Sequence, residues 1–225
     1  MVSSTQIFNG YQKQLRQNLQ DEKSFNKAVK IMLTINSLVH PSYTSTSKTS
    51  SLEDDIWKYA EENDFREIPS KCLNSIAWHL WHSARIEDIT TSYFITYKPQ
   101  VYTIKNYYKK LNVPFKDTGN NMELRQMETF NSKINLNELK KYRIEVGKAS
   151  RKAMEKLSYK DMKRKVLEES LRKMSSEGYV DNECKWLLDF WGKKNIEGII
   201  LMPLTRHMMV HINKSKRLLG NKIKN

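Results

Sequence analysis

Four of the five histidines in this 225-residue chain stand in two close pairs. His79 and His82 are three residues apart, and His207 and His211 are four residues apart. Both spacings place the two imidazoles of a pair on one helix face, with about 5–6 Å between their Cβ atoms. Each pair could therefore offer two nitrogen ligands to one ion. The alternative is that they are ordinary buried or surface histidines, since residues 208–210 are apolar.

One such pair and a third histidine from a facing helix would make a facial set of three nitrogens. A set of this kind leaves positions on the ion open for water or a substrate, which is typical of catalytic rather than structural sites. Helical bundles build metal sites from side chains that project inward from facing helices. The sequence contains no HExxH motif, and this excludes a zincin protease by pattern.

Two segments of the sequence resemble a known family. They are IAWHLWHSARIED at 76–88 and LMPLTRHMMVH at 201–211. Together they resemble the DinB-like superfamily, in which one metal-binding histidine lies in an H-hydrophobic-A-x-x-E pattern and two others lie in an HxxxH pattern. His82 fits the first pattern here, although Ser83 stands at its hydrophobic position. His207 and His211 fit the second pattern.

This resemblance implies an all-α fold and a single main domain. The expected architecture is a four-helix bundle of up-down-down-up topology, with short extra helices and long crossover loops. The likeness covers about residues 25–219, including the segments 46–69 and 110–122. Residues 1–24 are then expected to be a poorly defined N-terminal extension, and 220–225 a C-terminal tail.

The same resemblance implies a metal site and a type of reaction. His82, His207 and His211 would bind zinc or nickel, or else iron, and the ion would activate water or a low-molecular-weight thiol. The reaction would be thiol transfer or hydrolysis of a small amide, and the partner a small-molecule substrate or such a thiol. No general base is evident beside the ligands, so no catalytic residue is assigned. The alternative is a non-enzymatic binding module with a basic surface, linked to stress or DNA damage.

Three further residues could lie around the ligands and hydrogen-bond to them. His79 lies one helical turn before His82, and Arg206 directly precedes the HxxxH motif. Glu87 lies about 140° around the helix from His82, which favours a structural hydrogen bond or an ion pair for its carboxylate. His40 ends the first long helix, and its position assigns it no definite role.

Helical periodicity indicates how these residues are positioned. Apolar side chains recur at three- and four-residue spacing in four long segments. The long predicted helices run over 24–40, 73–96, 136–157 and 196–219. Shorter helices are predicted over 52–62, 102–110, 158–173 and 182–190, and the rest of 100–134 is predicted to be irregular. Ser51 and either Asn74 or Ser75 are candidate N-caps, and Pro203 must kink the last helix or begin it.

Composition and charge limit the classes of protein to which this chain can belong. Hydrophobic residues make up 39% of the chain and charged residues 28%, and the low counts of glycine (7) and proline (5) favour helices over a turn-rich β-sandwich. The net charge of +14 would attract anions. However, the basic stretch 133–173 is predicted to be a solvated lysine-rich helix face, in which aromatic residues do not alternate with the basic ones. This disfavours nucleic acid as a partner without excluding it.

The remaining sequence features concern location and assembly. Cys72 and Cys184 are far apart and form no CxxC, which argues against a disulfide framework. The longest apolar run near the C-terminus, 199–204, is far too short to span a membrane, and the start lacks the apolar core of a secretory signal. We expect a soluble cytoplasmic protein with no membrane partner. We also expect a homodimer, because the helices at 52–62 and 182–190 have apolar faces that a second copy could cover.

Overall fold

The computed structural model describes residues 3–46, 49–68 and 74–223, and this part of the chain is helical with no β-strand. The first seven helices are α1 (Ser4–Asn18), α2 (Phe25–Val39), α3 (Leu52–Tyr59), α4 (Glu62–Arg66), α5 (Ile76–Thr90), α6 (Val101–Ile104) and α7 (Tyr107–Lys110). The others are α8 (Leu124–Lys133), α9 (Leu136–Glu155), α10 (Glu168–Ser176), α11 (Lys185–Gly192), α12 (Ile196–Leu201) and α13 (His207–Leu219). The predicted all-α class is confirmed.

Two of the helix starts follow the predicted capping residues. The Ser51 hydroxyl accepts a hydrogen bond from the backbone N–H of Asp54 at 3.1 Å, and the Asp54 carboxylate accepts one from the Ser51 N–H at 2.9 Å. Ser75 rather than Asn74 caps α5, since its hydroxyl accepts from the Trp78 N–H at 3.1 Å. These bonds satisfy backbone donors that have no partner inside the helix.

Helix α5 lies at the centre of the fold. All fifteen of its residues are buried, and it packs against α9 on one side and α13 on another. Its first half, with Leu80 and Trp81, lies in one hydrophobic cluster, and its second half, with Ile86 and Ile89, lies in another. A helix buried on every side must find partners inside the protein for all its polar side chains. The polar side chains of α5 therefore face neighbouring parts of the protein instead of solvent.

Both helices that carry paired histidines contain a π-helical turn. The segment predicted at 73–96 is α-helical only to Thr90 and continues as a π-helix over Thr91–Thr96, whereas residue 73 lies outside the described residues. The segment predicted at 196–219 is divided into α12 and α13 by a π-helix at Met202–Arg206. Pro203 explains this break, because proline has no N–H to donate to the preceding turn. Of the two alternatives for Pro203, the structure shows an interruption of the segment rather than its first turn.

Two other predicted segments differ from the structure. Residues 158–173 do not form one helix, because a 3₁₀ turn at Tyr159–Lys163 precedes α10. Residues 124–133 were predicted to be irregular but form α8. Glu123 caps this helix in a reciprocal arrangement with Gln126, and glutamate is not among the residues that favour the N-cap position. The start of α8 therefore had no recognisable signal.

The N-terminal segment is an ordered part of this fold rather than a poorly defined extension. Helix α1 packs along α2, and its Phe8 and Leu15 side chains are buried in the same cluster as the apolar face of α2. Leu19, which directly follows α1 and lies one turn after Leu15, continues this stripe. The chain ends, within the described residues, in a 3₁₀ turn at Gly220–Lys222.

No helix among the described residues is long and apolar enough to cross a lipid bilayer. Cys184 is buried and reduced, and Cys72 lies outside the described residues.

Candidate metal centre

Three of the predicted ligands converge between α5 and α13. The Nε2 atom of His82 lies 3.2 Å from Nε2 of His207, and Nε2 of His211 lies 3.1 Å from the same atom. His82 and His211 are buried and His207 is half-buried. The arrangement combines the HxxxH pair of α13 with one histidine of the facing helix, as the sequence predicted.

A backbone contact determines the tautomer of His82. Its Nδ1–H donates to the carbonyl oxygen of Thr118, with an N···O distance of 2.5 Å. Because a carbonyl oxygen can only accept, the Nδ1 atom must carry the proton, and Nε2 keeps a free lone pair that points toward the other two histidines. Trp78 stacks on the His82 ring, with 4.4 Å between centroids and 5° between planes, and restricts its rotation.

His79 lies beside the triad and contacts His211. Its Nδ1 atom is 3.0 Å from Nδ1 of His211, so one of these nitrogens donates to the other. When Nδ1 of His211 is the donor, its Nε2 presents a lone pair to the triad, as Nε2 of His82 does. His79 is therefore placed as the hydrogen-bond acceptor that orients a ligand, a role often filled around metal sites by a carboxylate or a carbonyl.

The local environment keeps all four histidines neutral. Burial, followed by the positive charge of Lys214, lowers the pKa of His79 to about 3. The pKa of His82 is lowered to about 4, mainly by burial, although its hydrogen bond to Thr118 opposes this shift. The pKa values of His207 and His211 are also well below the usual value, first because of burial and then because of the neighbouring histidines. A metal ligand must be neutral imidazole, so this environment favours the form that binds an ion.

The donor set fits a divalent ion. A metal ion about 2.0–2.1 Å from each nitrogen, with N–metal–N angles between octahedral and tetrahedral, requires nitrogens about 2.9–3.4 Å apart. The two Nε2 distances quoted above lie within this range, and the three ligand atoms all lie within 4.8 Å of one another. Without an ion, hydrogen bonds between the neutral imidazoles could give partners to some of the three facing Nε2 atoms but not to all of them. The Nδ1 atom of His207 also has no partner among the described residues. Three nitrogens and no thiolate suit zinc, nickel or iron.

The metal-free protein is expected to lose stability as the pH falls from 7.5 to 5.5. An unfolded histidine has a pKa of about 6.5, whereas His82 and His79 have much lower values in the folded protein. The unfolded chain then binds protons that the folded chain does not, which costs about 1 kcal/mol for each buried histidine at the lower pH. Urea unfolding of chelator-treated protein at both pH values measures this loss. The His79→Gln variant should lose less, and pH-independent stability would contradict the buried neutral histidines.

An apolar cleft of about 250 Å³ opens onto the triad. His82 and His207 belong to its lining, and Asn120 contributes one polar group. The apolar lining residues are Ile86, Trp186, Leu187, Phe190, Trp191, Met202 and Pro203. Trp186 is 55% exposed at this cleft, whereas Trp78, Trp81 and Trp191 are buried. No carboxylate, lysine or arginine belongs to the described lining.

The other two residues predicted around the ligands lie elsewhere. Glu87 is fully buried, but its carboxylate contacts Nε2 of His40 at 2.7 Å and accepts from the Ser150 hydroxyl at 2.5 Å. Burial alone would raise the pKa of Glu87, but His40, Arg143 and Ser150 together lower it. Arg206 is exposed and lines a groove formed with α1. Neither residue is among the groups that contact the triad.

A buried ion pair supports the helices behind the triad. The Arg143 guanidinium donates to Glu53 at 2.6 Å and to the Val39 carbonyl oxygen at 3.2 Å, and both charged side chains are fully buried. Arg143 also contacts the sulfur of Met208, the residue after His207, at 3.5 Å. Sequence reasoning missed this pair, because a glutamate in the first turn of α3 and an arginine on the long helix α9 look like ordinary surface charges.

The loop that supplies the Thr118 carbonyl has a sterically required glycine. Gly119 has φ +71°, in the left-handed region that other residues adopt at a cost. A Cβ atom there would also collide with the Trp81 ring and come within 3.2 Å of the Trp78 indole nitrogen. The glycine therefore lets the loop approach α5 closely enough to bind His82. The loop could be recognised in the sequence. The hydrogen bond from His82 could not, because the Thr118 carbonyl oxygen that accepts it belongs to the backbone, and no residue type marks it.

Comparison with known proteins adds no assignment. No protein-family model matches this chain, and no curated protein matches it. The function must therefore be argued from the site itself.

Proposed function

We propose that this chain is a metal-dependent enzyme of the DinB-like type, in which His82, His207 and His211 hold a divalent ion. Zinc and nickel fit the three-nitrogen set best, and iron is compatible with it. The observation that carries this proposal is the convergence of three neutral imidazoles through their Nε2 atoms beside a cleft that two of them, His82 and His207, line. A bundle of α2, α5, α9 and α13 is supported by the packing of α9 and α13 against both α2 and α5.

The cleft favours a thiol over water as the nucleophile. A divalent ion bound by three histidines lowers the pKa of a water or thiol that occupies its open position. A free thiol has a pKa of about 8.5, far below the value of about 15.7 for water, so it needs less help from a nearby base. No carboxylate belongs to the described lining of the cleft. We therefore favour transfer of a low-molecular-weight thiol, with hydrolysis of a small amide as the second candidate.

The residues of the cleft define how the electrophile would bind. The indole of Trp186 and the ring of Phe190 offer flat apolar surfaces, and the described lining has only Asn120 as a polar group besides the two histidines. An uncharged aromatic or aliphatic electrophile would displace water from these surfaces, and the hydrophobic effect would hold it beside the triad. The chain itself thus contributes binding, orientation and exclusion of water.

Conjugation of cysteine to 1-chloro-2,4-dinitrobenzene tests this function. We expect zinc- or nickel-loaded protein to accelerate the reaction well above the uncatalysed rate. With the His207→Ala variant, the rate of conjugation should fall to that of the uncatalysed reaction, because the substitution removes a proposed ligand that lines the cleft. Lys141→Ala is the matched control, since its side chain is exposed and pairs with Glu138. Equal rates for His207→Ala and the wild type would contradict the proposal.

The basic surface does not favour the alternative of a nucleic-acid-binding module. Lys141 and Lys148 each pair with a glutamate on their own helix, at 2.7 and 3.5 Å. Lys140 lies over the Trp57 ring, with its nitrogen 5.5 Å from the centroid. These lysines lie on one side of α9, within about 100° of one another around its axis, and they do not line a groove with a row of stacking aromatic residues. No observation therefore supports readout of bases.

The homodimer predicted from the sequence remains a proposal. Trp186 on α11 is 55% exposed and Tyr59 at the end of α3 is 40% exposed, so both segments present apolar surface to solvent. Burial of such a face in a two-fold interface would remove that surface from water. Light scattering at tens of micromolar protein should then give about twice the chain mass of 26.7 kDa. A monomer at this concentration would exclude the dimer.

A further inference from the structure

A second cavity, of about 410 Å³, lies where the π-helical turn after α5 meets the C-terminal half of α9. Its apolar walls include Ile95, Val101, Ala153 and Leu157. It is larger than the cleft at the triad and has a volume typical of small-molecule sites, about 300–1,000 Å³. None of the three triad histidines belongs to its lining, so it is separate from the proposed metal centre.

The rim of this cavity carries positive charge. Lys98, Lys152 and Lys156 line it and are exposed, and within the described ranges none of the three forms an ion pair. Arg164 also lines the cavity, but it is paired: it lies 3.7 Å from the Asp161 carboxylate and donates to the Phe94 carbonyl oxygen at 3.1 Å, so the unpaired cations are the three lysines. A concentration of unpaired cations around an apolar space attracts an anionic group.

The two carboxylates in the lining are already neutralised or hydrogen-bonded. Asp88 accepts from the backbone N–H groups of Val101 and Tyr102, at 2.9 and 2.8 Å, and lies 3.5 Å from the Arg85 guanidinium. Asp161 accepts from the backbone N–H of its helix N-cap, Ser158, at 2.8 Å. Neither carboxylate is therefore available to pair with the lysines of the rim.

One buried polar group in the lining lacks a partner. Thr91 is 6% exposed, and its hydroxyl oxygen forms no hydrogen bond with any described residue. The preceding residue shows the usual alternative, since the Thr90 hydroxyl donates to the Ile86 carbonyl oxygen at 2.7 Å. A buried hydroxyl without a partner is destabilising, and an acceptor on a bound ligand would satisfy it. This group gives the cavity a specific polar contact besides its charge.

The backbone that forms the cavity is also unusual. Thr91 begins a π-helix, a form that is rare and occurs mostly as single turns, frequently at functional sites. The Thr96 hydroxyl donates to the Thr91 carbonyl oxygen at 3.2 Å, and the Ser92 hydroxyl donates to the Lys98 carbonyl oxygen. These bonds hold the turn in a conformation that leaves the space beside α9 unfilled.

We propose that this cavity binds a small anionic amphiphile, namely a carboxylate with an unbranched aliphatic chain. The chain lies against Ile95, Val101 and Leu157, and the carboxylate lies at the lysines of the rim; Thr91 belongs to the same lining. Apolar walls alone would accept any hydrophobic molecule, but the unpaired cations select for negative charge. This inference does not depend on the metal centre or on its reaction.

Calorimetric titration of the full chain with sodium decanoate, below its micellar concentration, tests the proposal. We expect saturable binding of one decanoate per chain, and no comparable binding of decyltrimethylammonium, which has the same tail and the opposite charge. The double variant Lys152→Glu/Lys156→Glu should bind decanoate at least tenfold more weakly. The double variant Lys140→Glu/Lys141→Glu is the matched control, since it makes the same change of charge on α9 about 16–18 Å along the helix axis from Lys152.

Two further variants locate the bound molecule. Ala153→Phe adds a ring to the wall and should abolish saturable binding, and circular dichroism shows whether it folds. Trp186→Ala alters the cleft at the triad and should leave decanoate binding unchanged. Binding that survives both the double lysine variant and a folded Ala153→Phe would overturn the proposal, as would equal binding of the cationic amphiphile.

Discussion

Replacement of His82 with alanine is expected to reduce the metal content of the protein from about one ion per chain to less than a tenth of that. The variant removes one of the three candidate nitrogen ligands. The hydrogen bond between His82 and the Thr118 carbonyl directs the lone pair of this ligand toward the site. His79→Ala should retain the ion with weaker affinity, because loss of a group that orients a ligand typically costs about 10–100-fold. Elemental analysis of protein purified without a histidine tag measures both contents.

These two variants control for each other. Each removes one buried imidazole from the same helix, so a general effect on packing would appear in both. Circular dichroism should show that both fold, since the hydrophobic clusters around α5 do not depend on an ion. The ranking decides the assignment: if His79→Ala loses the metal and His82→Ala keeps it, the ligand on α5 is misassigned.

Replacement of Arg143 with methionine is expected to destabilise the protein by about 3–5 kcal/mol. The substitution leaves the fully buried Glu53 carboxylate without its counter-charge, and removing one partner of a buried pair has this typical cost. Urea unfolding measures the change in the free energy of unfolding. The double variant Glu53→Gln/Arg143→Met should be less destabilised than Arg143→Met alone, because no unpaired charge remains between these positions.

A surface pair provides the matched control for this prediction. Lys105 and Glu145 approach to 2.5 Å, but their side chains are 48% and 26% exposed. Lys105→Met should therefore change the free energy of unfolding by less than about 1 kcal/mol. A loss of similar size for Arg143→Met would show that water reaches Glu53 and that the ion pair does not stabilise the site from behind.

The amino-acid sequence determined the helical class of this protein and the identity of its candidate ligands. Periodicity of three and four residues located α2, α9 and the C-terminal histidine-bearing segment, because the spacing of apolar residues in an amphipathic helix shows which of its faces is buried. The same local geometry explains why the sequence alone could predict that the imidazoles of His207 and His211 lie on one helix face. Ser51 and Ser75 were recognisable as N-caps for the same reason, since a cap acts within one turn of the chain.

Only the tertiary structure decided which partners the polar residues of α5 have. The spacing of His79 and His82 is compatible with either one as the ligand, and a distant carbonyl oxygen at Thr118 and a histidine on α13 separate their roles. The contacts of Glu87 with His40, and of Arg143 with Glu53, likewise join helices far apart in sequence. A local pattern records which face of a helix is buried, but the burial that makes these charges and imidazoles interact strongly arises only when the helices pack together.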